Sequence, residues 1–132
     1  MDVSIVSPEA NVWEGEADLV IARSPEGEFG IMRGHIPFLA ALVPGRVTAV
    51  SGDSREEFFV PGGFLEASGS YDDYHVIVLA DEADAVDDLD AARARELLEE
   101  ARHRLQEDES EHAEAAMRVA LARVEIAESS GR

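Results

Sequence analysis

The chain has 132 residues, 45% of them hydrophobic, enough for one sizeable core or for two small units sharing an interface. Its formal net charge of -18 arises from 29 acids against 11 arginines, with no lysine and no cysteine. This excludes disulfides, thiolate metal sites and catalytic or P-loop lysines, and it disfavours nucleic-acid binding, which needs basic groups to replace counterions.

The acidity is spread along the chain. Residues 1–80 hold 13 acids and 4 arginines, residues 81–132 hold 16 and 7, and each part carries -9. Genome or salt adaptation accounts for such a charge, and it also suits partners with basic surfaces. No apolar run approaches the roughly 20 residues that span a bilayer. Met1–Ser4 lacks the basic and apolar regions of a signal peptide, so direct membrane insertion is not expected.

Residues 2–6 alternate polar and apolar, which predicts a half-buried strand ending at Ser7-Pro8. Val12 and Trp13 precede an expected turn at Gly15. Ala17 to Ala22 reads as a strand covered on both faces and broken by Arg23-Ser24-Pro25. In the next stretch, Glu26 to Leu39, Gly27, Gly30, Gly34 and Pro37 punctuate an apolar series. Closely spaced turns joining very short strands are expected there. Ile36 to Val43 then leads to the turn Pro44-Gly45. Val47 to Val50 and Glu57 to Val60 flank a hairpin loop at Gly52-Asp53-Ser54. After Pro61-Gly62-Gly63, Phe64 to Ala67 precedes a polar turn over Ser68 to Asp73, and His75 to Ala80 is a strongly apolar strand. Many short strands at regular spacing predict an all-β sandwich or barrel.

The period then changes. Asp81 to Asp88 is an acidic connector. Beyond it Ala94, Leu97, Leu98, Ala101 and Leu105 fall on one helical stripe, with Asp87 or Asp88 as cap and Asp90 in the first turn. Gln106 to Glu111 breaks the stripe. Ser110 can cap a second helix whose stripe is Ala113, Ala116, Met117, Ala120, Leu121, Val124 and Ala127. The short link predicts an antiparallel hairpin packed through Leu98, Leu105, Met117, Leu121 and Val124. Alanines dominate the second stripe, so each contact buries little area and the hairpin should be marginal alone. Residues 1–82 are thus expected to form the sandwich domain, and residues 83–132 the connector and two-helix hairpin.

The run Glu-Gly-Glu-Phe-Gly-Ile-Met-Arg-Gly-His-Ile-Pro-Phe-Leu, residues 26–39, resembles the epsilon subunit of bacterial F-type ATP synthases. That family carries Glu-Gly-x-x-Gly-Ile-x-x-Gly-His-x-Pro-x-Leu in its first domain. Trp13-Glu14-Gly15, Val60 to Leu65, Val78-Leu79-Ala80 and Leu89 to Ala94 resemble it further. The resemblance implies a β-sandwich followed by a C-terminal antiparallel helical hairpin. It implies a non-catalytic rotor subunit of the central stalk, bridging the gamma subunit and the c-ring on the cytoplasmic face of the cell membrane. The hairpin can then restrain ATP hydrolysis by reaching the catalytic alpha/beta head. A free-standing β-sandwich binding module with a helical regulatory tail is the alternative from another class, and a small acid-dependent hydrolase a more distant one.

No catalytic set is present. There is no Gly-x-Ser-x-Gly, no His-Glu-x-x-His and no G-x-G-x-x-G opening a helix. His103 and His112 fall on polar helix faces. Asp72, Asp73 and His75 could supply metal ligands, but turn hydrogen bonding explains them and no metal site is expected. By the resemblance, Glu28 and His35 are exposed residues that face the polar loops of the c-ring. Arg33, at a position often filled by proline, leaves this loop less rigid and more basic. Leu89, Asp90, Arg93 and Ala94 match the family's nucleotide-binding Leu/Ile-Asp-x-x-Arg-Ala, and Asp90 and Arg93 stand one turn apart. Glu100 replaces a further family arginine, and Asp84, Asp87 and Asp88 repel polyphosphate, so no cofactor is expected apart from weak regulatory ATP. On the second helix Arg118, Arg123 and Arg132 are set against Glu111, Glu114, Glu125 and Glu128. Arg118 and Arg123 lie about 140° apart and form no basic stripe.

Overall fold

The computed structural model describes residues 1–129; Arg132 lies outside the described residues. Contacts divide the chain into one unit spanning Met1–Ala85 and another beginning at Val86.

The first unit contains ten strands: β1 Asp2–Ser7, β2 Ala10–Glu16, β3 Leu19–Ser24, β4 Gly27–Met32, β5 Phe38–Leu42, β6 Gly45–Ser51, β7 Ser54–Val60, β8 Gly63–Ser70, β9 Asp73–Ala80 and β10 Asp84–Ala85. They form two five-stranded sheets, ordered β2-β1-β9-β8-β5 and β10-β7-β6-β3-β4. Most neighbours are antiparallel, whereas β1 runs parallel to β9. Alternation along each strand sends Val3, Ile5, Val20, Ile31, Leu65, Val76 and Val78 inward, all almost completely buried. The expected sandwich is present.

Several local expectations change. Gly15 makes no turn; it pairs with Val3 inside β2. A Cβ there would lie 2.6 Å from the Trp13 ring, so the missing side chain makes room for the indole. Arg23 and Ser24 continue β3, since Arg23 pairs with Glu28 and Ser24 with Gly27. Within the glycine-rich stretch Gly27 and Gly30 make no turn: Gly27–Met32 forms one six-residue strand, β4, because β3 supplies an antiparallel partner along all of it, and the chain turns only after Met32. The polar turn after β8 shrinks to Tyr71-Asp72, as Ser68 pairs with His75 and Ser70 with Asp73. The acidic connector contains β10, whose Asp84 and Ala85 pair with Phe59 and Phe58.

The second unit begins with a 3-10 turn, Val86–Asp88, followed by α1 Ala91–Glu107 and α2 Glu111–Ser129. Asp90 caps α1, in place of Asp87 or Asp88. Its carboxylate accepts from the Ala92 and Arg93 amides at 2.9 and 3.3 Å. The Ser110 hydroxyl accepts from the Ala113 amide at 3.2 Å, as expected of a cap. The Arg95 guanidinium meets Glu128 at 2.7 Å, tying the start of α1 to the end of α2, so the hairpin is antiparallel. Its fully buried helical residues are all alanines: Ala94, Ala101, Ala113, Ala120 and Ala127. Leu98, Leu105, Met117 and Val124 are half-buried. Leu121, expected in the packed stripe, is 44% exposed. It stands about 100° around the helix from Ala120, at the edge of the buried stripe.

Candidate functional site

The outer face of the first sheet carries an apolar row. Ala41 pairs with Phe64, Phe64 with Leu79, and Leu79 with Val6, so one line of side chains crosses β5, β8, β9 and β1. Phe64 is 52% exposed and Leu79 54%, and nearby Leu39 reaches 67%. Sequence reasoning missed this face. The signal was the unbroken apolar run from Val76 to Ala80, where a sheet with one solvated face should alternate. Exposed apolar groups in a contiguous row mark a contact surface.

The glycine-rich stretch places its residues at separate points. Glu28 is exposed near the start of β4, and Met32 ends that strand, about 13 Å further along at ~3.3 Å per residue. The chain then turns at Arg33-Gly34. Gly34 adopts φ +88°, and a Cβ there would lie 3.0 Å from the Tyr71 ring, so glycine suits both the backbone and the contact. The Arg33 guanidinium lies over that ring at 5.4 Å from its centroid. His35 is half-buried, contrary to the expectation that it is exposed. Its ring packs edge-on against Phe38 at 5.5 Å, and Phe38 in turn meets Phe29 at 5.3 Å. The His35 Nδ1 is 2.8 Å from the Ile36 carbonyl oxygen. The histidine therefore shapes the turn while keeping an edge in solvent. Met32 and Ile36 are exposed beside it, 62% and 74%. Among the described residues, no hydrogen bond or ion pair joins Glu28 to Arg33 or His35.

At the start of α1 the four nucleotide candidates are engaged locally. The Leu89 amide donates to the Val86 carbonyl at 3.1 Å, Asp90 caps the helix, and Ala94 is buried. Arg93 meets Glu96 at 3.1 Å and Glu100 at 3.5 Å, so its guanidinium is turned along the helix and Asp90 and Arg93 do not converge on a common site. A phosphate there would compete with two carboxylates.

Asp73 and His75 lie on one face of β9, and the structure adds Asp2 from β1 while leaving Asp72 in the turn. Inside the sandwich, Tyr74 is buried and its hydroxyl has no hydrogen-bond partner; burial raises its pKa.

Residues 1–86 match the family model described as "ATP synthase, Delta/Epsilon chain, beta-sandwich domain". Over 132 residues the chain is 42% identical to the ATP synthase epsilon chain of Anaeromyxobacter sp. (strain K), covering 96% of this chain and 97% of the relative. It is 34% identical to the epsilon chain of Shouchella clausii (strain KSM-K16), covering 99% and 97%. The fold also matches a chain in the Euglena gracilis mitochondrial ATP synthase, a structure containing OSCP, F1 and c-ring. The TM-score there is 0.77 at 23% identity, covering 98% of this chain and 80% of that one. The matched sandwich and the near-complete alignment through the hairpin lead to one assignment: the chain belongs to the ATP synthase epsilon chain family, whose members are subunits of the complex and not enzymes in their own right.

Proposed function

We propose that the chain works as the central-stalk rotor subunit of a proton-translocating F-type ATP synthase, with its sandwich held between gamma and the c-ring. The observation that carries the reading is the exposed apolar row Ala41–Phe64–Leu79–Val6 on an otherwise acidic chain. Such a row is left in water only at a cost that a partner removes, about 1 kcal/mol or more for each large side chain covered. In this reading the row meets gamma, and the sandwich end with Glu28, Arg33 and His35 meets polar loops of the c-ring. The protein then lies peripherally at the cytoplasmic face of the membrane, consistent with the absence of any described helix long and apolar enough to cross it.

The test is copurification with gamma of the double variant Phe64→Ser, Leu79→Ser. Both side chains point outward, so the sandwich should melt as before while capture by gamma falls at least tenfold. Undiminished capture would move gamma to another face. Glu28→Ala with His35→Ala should weaken attachment of the gamma–epsilon pair to the ring. Because His35 packs on Phe38, its melting curve must be checked in parallel.

The hairpin is read as a brake on ATP hydrolysis that docks on the catalytic head mainly by packing. Leu121 already presents an exposed apolar side chain on α2, beside half-buried Met117 and Val124. Arg118 is exposed and Arg123 half-buried, and exposed pairs contribute at most about 1 kcal/mol each. Removing residues 89–132 from the assembled enzyme should raise ATPase activity modestly and leave synthesis intact. A large release that depends steeply on salt would sink the packing account. No cofactor is assigned, because Arg93 is held by Glu96 and Glu100 and Asp90 by the helix start.

A further inference from the structure

Outside the apolar row and the polar end, one group of side chains combines metal-ligand chemistry with a rigid frame. On the outer face of the first sheet, Asp2, Asp73 and His75 each offer a ligand atom, and these atoms lie within 4.8 Å of one another. Two are already close, with His75 Nδ1 3.9 Å from an Asp73 carboxylate oxygen. The geometry points to a divalent-cation site of the zinc class formed by Asp2, Asp73 and His75, bridging β1 and β9.

The placement follows from the backbone. Asp2 and His75 are direct partners in the parallel β1–β9 ladder, so their side chains leave the same face. Asp73 is two residues before His75 and shares that face by the period of two. All three Cα positions are set by strand pairing, since Asp73 pairs with Ser70 and His75 with Ser68. Only side-chain torsions must adjust to bring the ligand atoms onto one ion at bond lengths of about 2.0–2.2 Å.

The chemistry favours a borderline cation over magnesium or calcium. One imidazole nitrogen with two carboxylates suits zinc-class ions, whereas magnesium and calcium take oxygen ligands. Charge favours a divalent cation of any kind. Asp2 and His75 line an open hollow of about 620 Å³ together with Glu14 and Glu16, and none of its lining residues is a lysine or arginine. The N-terminal ammonium lies 3.8 Å from Glu16, which leaves the remaining carboxylates without that neutralisation. Carboxylates crowded on adjacent strands repel, and a cation bound among them relieves the repulsion. Three protein ligands, two of them lining an open hollow, leave coordination positions for water. The site would therefore be reversible, and its effect would be to clasp the first strand to β9.

The experiment titrates the full-length chain with Zn²⁺ alone in a non-coordinating buffer, followed by histidine-ring and amide NMR and by thermal melting. The His75 ring and the Asp2 and Asp73 amides should shift in one saturable transition, and Tm should rise with Zn²⁺. His75→Gln should raise the Zn²⁺ midpoint at least tenfold and abolish the Tm rise. Asp73→Asn should raise the midpoint severalfold, while Mg²⁺ at equal concentration should leave the His75 ring unmoved. A midpoint unchanged in both variants, Zn²⁺ shifts confined to His103 and His112, or no shift at millimolar Zn²⁺ would each overturn the site.

Discussion

The two units bury different things. Inside the sandwich Ile5, Ile31, Leu65, Val76 and Val78 are all but inaccessible, and Trp13 and Phe58 meet at 5.9 Å. The fully buried helical residues of the hairpin are alanines, and its leucines are half-buried or exposed. Burial of a large aliphatic side chain contributes about 1.5–3 kcal/mol, and a methyl far less. The sandwich is therefore expected to fold without the helices. The hairpin is held by close helix approach, two caps and the Arg95–Glu128 pair, a weaker set of contacts that fits the proposed brake.

Core truncation should separate the units most sharply. Ile5→Ala should cost about 2–5 kcal/mol in denaturant unfolding read by Trp13, the single tryptophan. Leu98→Ala, at a half-buried hairpin position, should cost about 1 kcal/mol and be read in helical circular dichroism. Equal costs would erase the distinction between the units.

Dividing the chain is the next test. A chain ending at Asp88 retains β10 and should keep β circular dichroism and cooperative melting. One ending at Glu82 loses the pairing of Asp84 and Ala85 with Phe59 and Phe58 and should melt lower. Residues 89–132 alone should be largely unfolded, since isolated helices of this length are marginal. A molten sandwich fragment would mean that the helices are part of its core.

A smaller effect is expected at the cap. Asp90→Ala should cost the hairpin about 0.5–2 kcal/mol while leaving Trp13-detected unfolding unchanged. The same variant tests the ligand question: ATP titration of the parent chain should show no saturable binding in the micromolar range. Tight binding lost on Asp90→Ala would restore a nucleotide site at Leu89–Ala94.

The least effect belongs to the unpartnered Tyr74 hydroxyl. Its folded pKa is raised above the unfolded value of about 10, so the neutral form is favoured in the fold. The associated stability is fully present below pH ~10 and is lost as pH rises through the raised value. Tyr74→Phe should be neutral or stabilising by up to about 1 kcal/mol near pH 7 and should flatten the alkaline loss. A clear destabilisation would indicate that the hydroxyl has a partner.

Alternation, turn residues and the change of period after Ala80 were enough to predict an all-β sandwich or barrel followed by two helices, and the family resemblance chose the sandwich. These are local signals, set by which side chains can share a face. The Ser110 cap was legible for the same reason. Tertiary pairing decided the rest. Gly15 looks like a turn until Val3 pairs with it, and the glycine-rich stretch looks broken until β3 lies along it. Asp84 and Ala85 are a strand only because β7 offers an edge. Proximity across strands is invisible to spacing, so neither the row Ala41–Phe64–Leu79–Val6 nor the meeting of Asp2 with Asp73 and His75 could be read from the chain. Phe64 and Leu79, 15 positions apart, Ala41 and Phe64, 23 apart, and Val6 and Leu79, 73 apart, became neighbours through register, which spacing along the sequence does not show.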